Sequence, residues 1–333
     1  MALFRCNGCG HIREVGDTYL GKAVKCPKCK ISAHVHDTTR FVRAIVGRFL
    51  ALKEQLAELQ PSPNNESADL LVEGAIGKRF ADLDVHNTNI LAAESNLAPL
   101  AKWFEERQIG VQFDPSAADT TGFFDEIALM MGRDYALLSN VSSQIKRAQF
   151  KGFTSAKIDV SKFSKEDLAK IRRFCSELYD YSFVAKNFHH KEDQIIWLTL
   201  QTAPTIRDFF NGYWMEWYVL ITLLEFFASN ERAAACARSA KVTFRSGKSN
   251  ELDVFVLSNN DTPICIECKT GEFRQDIDKY LSLRKQLGLA KAEFVLCVFG
   301  LSTEQAAGMT SMYDLTFVNE LTLMEHVASL LND

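Results

Sequence analysis

The hydrophobic positions of this chain change rhythm along its length, and the changes mark its segments. Residues 253–257 and 263–269 are apolar, β-branched runs joined by Ser258-Asn259-Asn260-Asp261, which is turn chemistry, so this stretch is expected to be a β-hairpin. Ahead of it, residues 208–227 form a long apolar helix whose aromatics (Phe209, Phe210, Tyr213, Trp214, Trp217, Tyr218) read as core, and residues 241–244 form a first strand. Behind it, residues 275–287 have helical period and stop at Gly288 as a C′ residue. Residues 294–299 are apolar throughout, as in a strand buried on both faces; 315–318 reads as another strand and 320–331 as a closing helix. The order helix, strand, hairpin, helix, strand, strand, helix predicts an α/β domain with a mixed sheet over 204–333.

Upstream, the pattern over 69–203 is mostly helical, with helices expected at 90–107, 121–131, 137–147, 164–178 and 194–202. The fourth opens on a capping box, Ser164-Lys165-Glu166-Asp167. Residues 110–113 fit either a short strand or a connector. His189-His190, beside Lys191-Glu192-Asp193, reads as a solvated turn rather than a metal or acid–base cluster. Residues 38–60 hold one amphipathic helix, with Phe41, Ile45, Phe49, Leu52, Leu56 and Leu59 at helical spacing, read as a connecting or dimerising element. The Pro- and Asn-rich stretch 61–68 is the clearest linker.

Residues 1–37 follow no long period and are organised by cysteine instead. Cys6-Asn7-Gly8-Cys9 and Cys26-Pro27-Lys28-Cys29 give two C-x2-C pairs with sixteen residues between them. That spacing points to a zinc ribbon in which Cys6, Cys9, Cys26 and Cys29 close a structural Zn2+ tetrahedron. With four thiolates available, His11, His34 and His36 are not needed as ligands, and a redox role lacks a βαβ context. Nine cysteines, four in these pairs, fit a reducing compartment.

Charge adds one more feature. Ten Lys and Arg against Glu14, Asp17 and Asp37 give +7 over residues 1–53, which leaves −11 for the rest of a chain of net charge −4. A basic end on an acidic body suggests that it meets a polyanion. No run of 18 apolar residues and no secretory h-region is found, so the expectation is a cytoplasmic protein without a membrane span.

The chemistry concentrates in the hairpin. Folded about Asn260, it sets Asp253 opposite Glu267, and alternation puts Glu267 and Lys269 on one face with Cys268 pointing away. Two carboxylates and an ammonium in an apolar hairpin would be costly as plain core, and carboxylate oxygens suit Mg2+ or Mn2+. Asp253, then thirteen residues, then Glu267-Cys268-Lys269 resembles the signature of the PD-(D/E)XK, or restriction-endonuclease-like, nuclease superfamily. Upstream, Gly212-Tyr213-Trp214-Met215-Glu216-Trp217-Tyr218-Val219 carries an acidic residue where that family places one, and the set is similar to the nuclease domain of CRISPR ancillary nucleases over roughly residues 205–333. Nothing N-terminal resembles the cyclic-oligonucleotide sensor of that group, so its activator does not transfer.

The resemblance implies a restriction-endonuclease-like C-terminal domain; with the cysteine spacing and the helical pattern upstream, the expectation is a multidomain α+β protein of zinc ribbon, mostly helical middle region and that domain. The resemblance also implies Mg2+-dependent endonucleolytic hydrolysis of phosphodiester bonds, with DNA the first choice of substrate and a setting in DNA processing or antiviral defence. Glu216, Asp253, Glu267 and Lys269 would be catalytic. Asp253, Glu267 and the backbone carbonyl of Cys268 would hold Mg2+ or Mn2+, and Glu216 would reach the ion through water or hold a second one. Lys269 reads as orienting and electrostatic rather than as a base, since neighbouring carboxylates oppose its deprotonation. Lys279 and Arg274, just past the site, are candidates for phosphate contact, although solvated helix positions are commoner. The alternatives are an RNA nuclease or a binding scaffold that keeps the fold without catalysis. A homodimer pairing two sites, or a protein partner on the ribbon or the middle region, is compatible with the sequence.

Overall fold

The computed structural model describes residues 2–5, 12–37, 91–114, 117, 123–230, 232–258 and 261–332. The helix expected at 38–60, the linker at 61–68, and Cys6, Cys9 and His11 lie outside the described residues. The chain divides into two compact units, Met1–Ala68 and Asp69–Asp333.

In the first unit, strands β1 (Ala2–Arg5), β2 (Ile12–Val15), β3 (Ala23–Lys25) and β4 (Ser32–Asp37) form an antiparallel sheet in the order β2-β1-β4-β3. Its core is small: Ala2, Phe4, Cys26, Ala33 and Val35. The turn carrying the second cysteine pair is closed by Cys26 N–H donating to Ile31 O (2.8 Å) and Lys30 N–H donating to Cys26 O (2.9 Å). Lys30 takes the left-handed conformation there (φ 64°).

The second unit is mixed α+β around a mixed sheet. In chain order it holds α1 (Glu94–Glu106), β5 (Gly110–Gln112), α2 (Phe124–Arg133), α3 (Tyr135–Phe150), β6 (Ser155–Asp159) and α4 (Lys165–Asp180). Next come β7 (Val184–His190), β8 (Ile195–Leu200), α5 (Pro204–Asp208), a π-helical turn over Phe209–Tyr213, and α6 (Trp214–Ser229). The chain closes with β9 (Ala234–Thr243), β10 (Ser249–Ser258), β11 (Pro263–Thr270), α7 (Ile277–Leu287), β12 (Phe294–Phe299), α8 (Thr303–Met312), β13 (Thr316–Val318) and α9 (Leu323–Asn332).

Six strands form the main sheet, in the order β13-β12-β11-β10-β9-β5. β5, β9, β10 and β11 pair antiparallel in succession, whereas β11 pairs with β12, and β12 with β13, in parallel. Parallel neighbours need a crossover, which α7 supplies between β11 and β12 and α8 between β12 and β13. Helix α8 has no counterpart among the expected elements; its hydrophobic pattern is weak, but Ser302 and Gln305 close a full capping box at its start. One face of the sheet packs on α6 through Cys236, Val254, Ile266 and Cys297, and the other on α1 and α7 through Ala237, Phe255, Cys265 and Leu296. All six residues of β12 are buried, as its apolar run requires.

In the middle region one open alternative is resolved and two expectations change. Residues 110–112 are a strand, and β5 pairs with β9 at the edge of the main sheet, so this piece is built into the C-terminal sheet. Residues 194–202 are not a helix: Ile195–Leu200 is strand β8, where Ile196, Leu198 and Leu200 are buried and Trp197 is exposed. That period of two, with Ile-Ile-Trp and Thr, is strand chemistry. His189-His190 is accordingly the end of β7, not a turn, and β6, β8 and β7 make a three-stranded antiparallel sheet backed by α3 and α4. The helices at 90–107, 121–131, 137–147 and 164–178 are present with shifted ends, and Ser164 caps α4 by accepting the Asp167 N–H at 3.1 Å.

The apolar helix expected over 208–227 breaks into α5, the π turn and α6. π turns of this kind mark sites where a helix is re-aimed. Helix α6 is buried on nearly every side. Gly132 of α2 lets the two helices touch: a Cβ there would lie 2.1 Å from the Tyr218 ring.

Candidate active site

The hairpin has the register expected of it. Val254 pairs with Ile266 and Leu257 with Pro263, so one step further Asp253 stands across from Glu267. On the other side of β10 the ladder is interrupted. Leu252 bridges Ala240 and Val254 bridges Arg238, while Asp253 and Ser239 between them do not pair, and Ser239 sits in the left-handed region (φ 53°). Side-chain alternation breaks at this point: Leu252 belongs to the core on the α1 and α7 side, Val254 to the core on the α6 side. Asp253 lies at the switch, so its carboxylate can be felt from both faces of the sheet. Irregularities of this kind re-aim side chains beside functional sites.

Asp253 Oδ2 accepts the Cys268 N–H at 2.7 Å. Lys269 Nζ lies 3.6 Å from Asp253 Oδ2 and 4.0 Å from Glu267 Oε2. Glu267 is 2% exposed, and its Oε1 has no hydrogen-bond partner among the described residues. An unpartnered carboxylate oxygen in a buried site costs a folded protein free energy, and the sequence alone gives no structural reason to keep it. Tyr280 of α7, itself buried, has its ring centroid 5.7 Å from Lys269 Nζ. Cys268 turns its side chain to the opposite core, which leaves its backbone beside the carboxylates.

The charges follow from this packing. Burial, then the Asp253 charge, pushes the Glu267 carboxyl up to about 8 against the pull of Lys269, Lys279 and a backbone hydrogen bond from Asp253. For Lys269, burial is the largest single influence and favours the neutral amine, but Asp253 and Glu267 together with Tyr280 outweigh it, so its pKa is raised. Lys269 is therefore a fixed cation.

Glu216 approaches from α6 with a different partner. Its Oε2 accepts from Arg238 Nη1 at 2.9 Å and from Ser239 Oγ at 3.0 Å. Arg238 is fully engaged in turn: its Nε donates to Ala117 O (2.7 Å) and its guanidinium lies 4.4 Å from the Trp217 ring centroid. Burial first, and Asp253 second, raise the Glu216 carboxyl to about 7, so the Asp253 charge reaches Glu216 even though the side chain is turned onto Arg238. No group of three or more His, Cys, Asp or Glu side chains close enough to hold an ion occurs among the described residues. Of the other candidates, Lys279 faces the Tyr280 ring at 5.5 Å, and Arg274 pairs with Glu272 at the surface (3.3 Å). Cys26 is buried in the core of the first unit and Cys29 packs against that core.

Sequence reasoning missed Arg238, Ser239 and Tyr280. Arg238 left a trace: it is the lone charge within Ala233-Ala234-Ala235-Cys236-Ala237-Arg238-Ser239-Ala240, where a strand of small residues leaves room for one buried guanidinium. Tyr280 left none, since it reads as one more apolar position of a helix.

No family model matches the chain, and no curated protein matches it. Among solved structures the chain is similar to protein VC1899 from Vibrio cholerae, at 18% identity and a TM-score of 0.48, over 70% of this chain and 60% of that one. The chain thus spans about three fifths of that protein's length.

Proposed function

We propose that this chain is a divalent-cation-dependent nuclease of the PD-(D/E)XK class, with Asp253, Glu267 and Lys269 as the working residues. One observation carries the reading: a buried carboxylate with an unpartnered oxygen, Glu267, set across a hairpin from a second carboxylate and beside a fixed ammonium. The donor set fits a hard divalent cation, because an orphaned oxygen, an adjacent carboxylate and a nearby main-chain carbonyl are what Mg2+ or Mn2+ takes. Asp253, Glu267 and the Cys268 carbonyl would hold it. When bound, such an ion would acidify water and offset charge on the phosphodiester.

The protein's own groups do the rest. Lys269, held protonated by both carboxylates, orients the scissile phosphate and balances its charge; it is not the base. Asp253 fixes the β11 backbone through the Cys268 N–H. Arg238 and Ser239 clamp Glu216, whose role is to position the Asp253 side of the site rather than to bind an ion directly. The first unit is a zinc ribbon in this reading, with Cys6, Cys9, Cys26 and Cys29 as ligands. The tight Cys26–Ile31 turn and the burial of Cys26 support it. DNA is the first substrate choice, with RNA the alternative for the same chemistry.

A second reading, a binding protein that keeps the fold without catalysis, is favoured by the Glu216–Arg238 ion pair, which occupies one acidic residue of the set. Metal-dependent cleavage by the wild type, absent in Lys269→Ala, decides between them.

A further inference from the structure

We propose that a groove between α3 and the α5–π-turn segment binds a single strand of nucleic acid, with phosphates on Lys146, Arg147 and Arg207 and an unpaired base on Phe150. The groove has a volume of about 500 Å3 and is walled by these residues together with Gln149, Asp208 and Asn211. That volume is ordinary for a ligand site.

Four features point to this occupant. Three cations face one carboxylate, Asp208, in a chain whose net charge is −4, so the groove is basic against its surroundings. Arg147 alone would be unremarkable in the last turn of a helix, where cations suit the dipole, but Arg207 comes from a separate helix and converges on the same space. Phe150 is 89% exposed on the groove wall, with Phe153 beyond it at 60%. An open ring on a groove wall is a platform for stacking, and a base can stack there only when it is unpaired. Gln149 is 7% exposed and lines the same groove, yet its buried Nε2 donor has no partner among the described residues. A turn of the side chain would offer that donor to a phosphate oxygen or a base carbonyl in the groove.

The groove also borders the π turn from which α6, the helix of Glu216, runs on. Lys146 Nζ donates to Asn211 O (3.0 Å), which ties α3 to the π turn. Two residues on, Tyr213 is half-exposed at the head of α6. A strand lying in the groove would therefore be led towards the head of α6. This deepens the nuclease reading and rests on it for the strand's purpose; the binding itself is measured without cleavage.

The test uses the full chain in EDTA and fluorescence anisotropy with labelled dT20, U20 and a duplex of equal length, across a NaCl series. Arg147→Gln/Arg207→Gln should weaken single-strand binding at least tenfold and make the salt slope shallower by about 1.4, from roughly 0.7 for each phosphate no longer neutralised. Phe150→Ala should weaken it about 5- to 100-fold, as removal of one stacked base does, and Phe150→Trp should restore it. All three side chains are exposed, so unchanged melting temperatures are expected. Wild-type affinity in both weakened variants, or no binding of either single strand by the wild type, overturns the proposal. Groove-dependent binding by a protein that cuts nothing in Mg2+ or Mn2+ would keep the groove and remove the nuclease. Cleavage with unchanged KM in the groove variants would do the reverse.

Discussion

Glu267→Gln should make the metal-free protein more stable at alkaline pH while removing its function. The wild-type carboxyl is 2% exposed and is pushed up from 4.5 to about 8 by burial and by Asp253. A shift of that size costs the folded state about 4 kcal/mol at pH 7.5. Gln removes the charge but keeps two polar groups in the same pocket, which takes back ~1–2 kcal/mol. The net gain is ~2 kcal/mol, or ~4–8 °C in Tm for a unit of this size. The sign depends on pH. Below about pH 4.5 folded and unfolded chains both hold the proton and the wild type bears no penalty; the penalty grows as pH rises and levels off above about 8. Calorimetry in EDTA should therefore find the mutant ahead at pH 8 and level with, or behind, the wild type at pH 5. A mutant that melts lower at pH 8, or one whose advantage is the same at both pH values, would refute the reasoning that Glu267 is kept at the expense of stability.

Other outcomes are as specific. Arg238→Met should destabilise the second unit by about 3–5 kcal/mol, because it strands the buried Glu216 charge, and Arg238→Met/Glu216→Leu should recover most of that deficit; urea melts of the cycle check it, and an additive double mutant would deny the coupling. Asp253→Ala should abolish cleavage and leave far-UV circular dichroism unchanged; full activity in it would remove Asp253 from the site. Cys26→Ser should release zinc, read by metal analysis of the purified protein, while the melting transition of the second unit stays in place; stoichiometric zinc in the mutant would count against the four-cysteine site.

The candidate site is legible in the sequence where local rules apply. Register follows from turn length, so the Ser258–Asp261 turn is enough to put Asp253 across from Glu267. The all-apolar run 294–299 identifies a central strand because it is only six residues long and rich in Val and Phe, too short for a buried helix such as α6. What cannot be read depends on contacts distant in sequence. The Glu216–Arg238 pair spans 22 residues and lies beside the point where the ladder breaks at Asp253 and Ser239. Strand β5 is three residues long and is defined by its pairing with β9, more than a hundred positions away. Strand β8 misleads for another reason: Ile195 to Leu200 is short, and short apolar runs fit both periods until the exposure of Trp197 settles them.

The central claim is best tested by incubating the protein with supercoiled plasmid, linear duplex, single-stranded DNA and RNA in Mg2+, Mn2+ or EDTA, with Lys269→Ala alongside. Cleavage should need the metal and be absent in the mutant. Cleavage that persists in Lys269→Ala, or none of any substrate by folded wild-type protein, would contradict the claim.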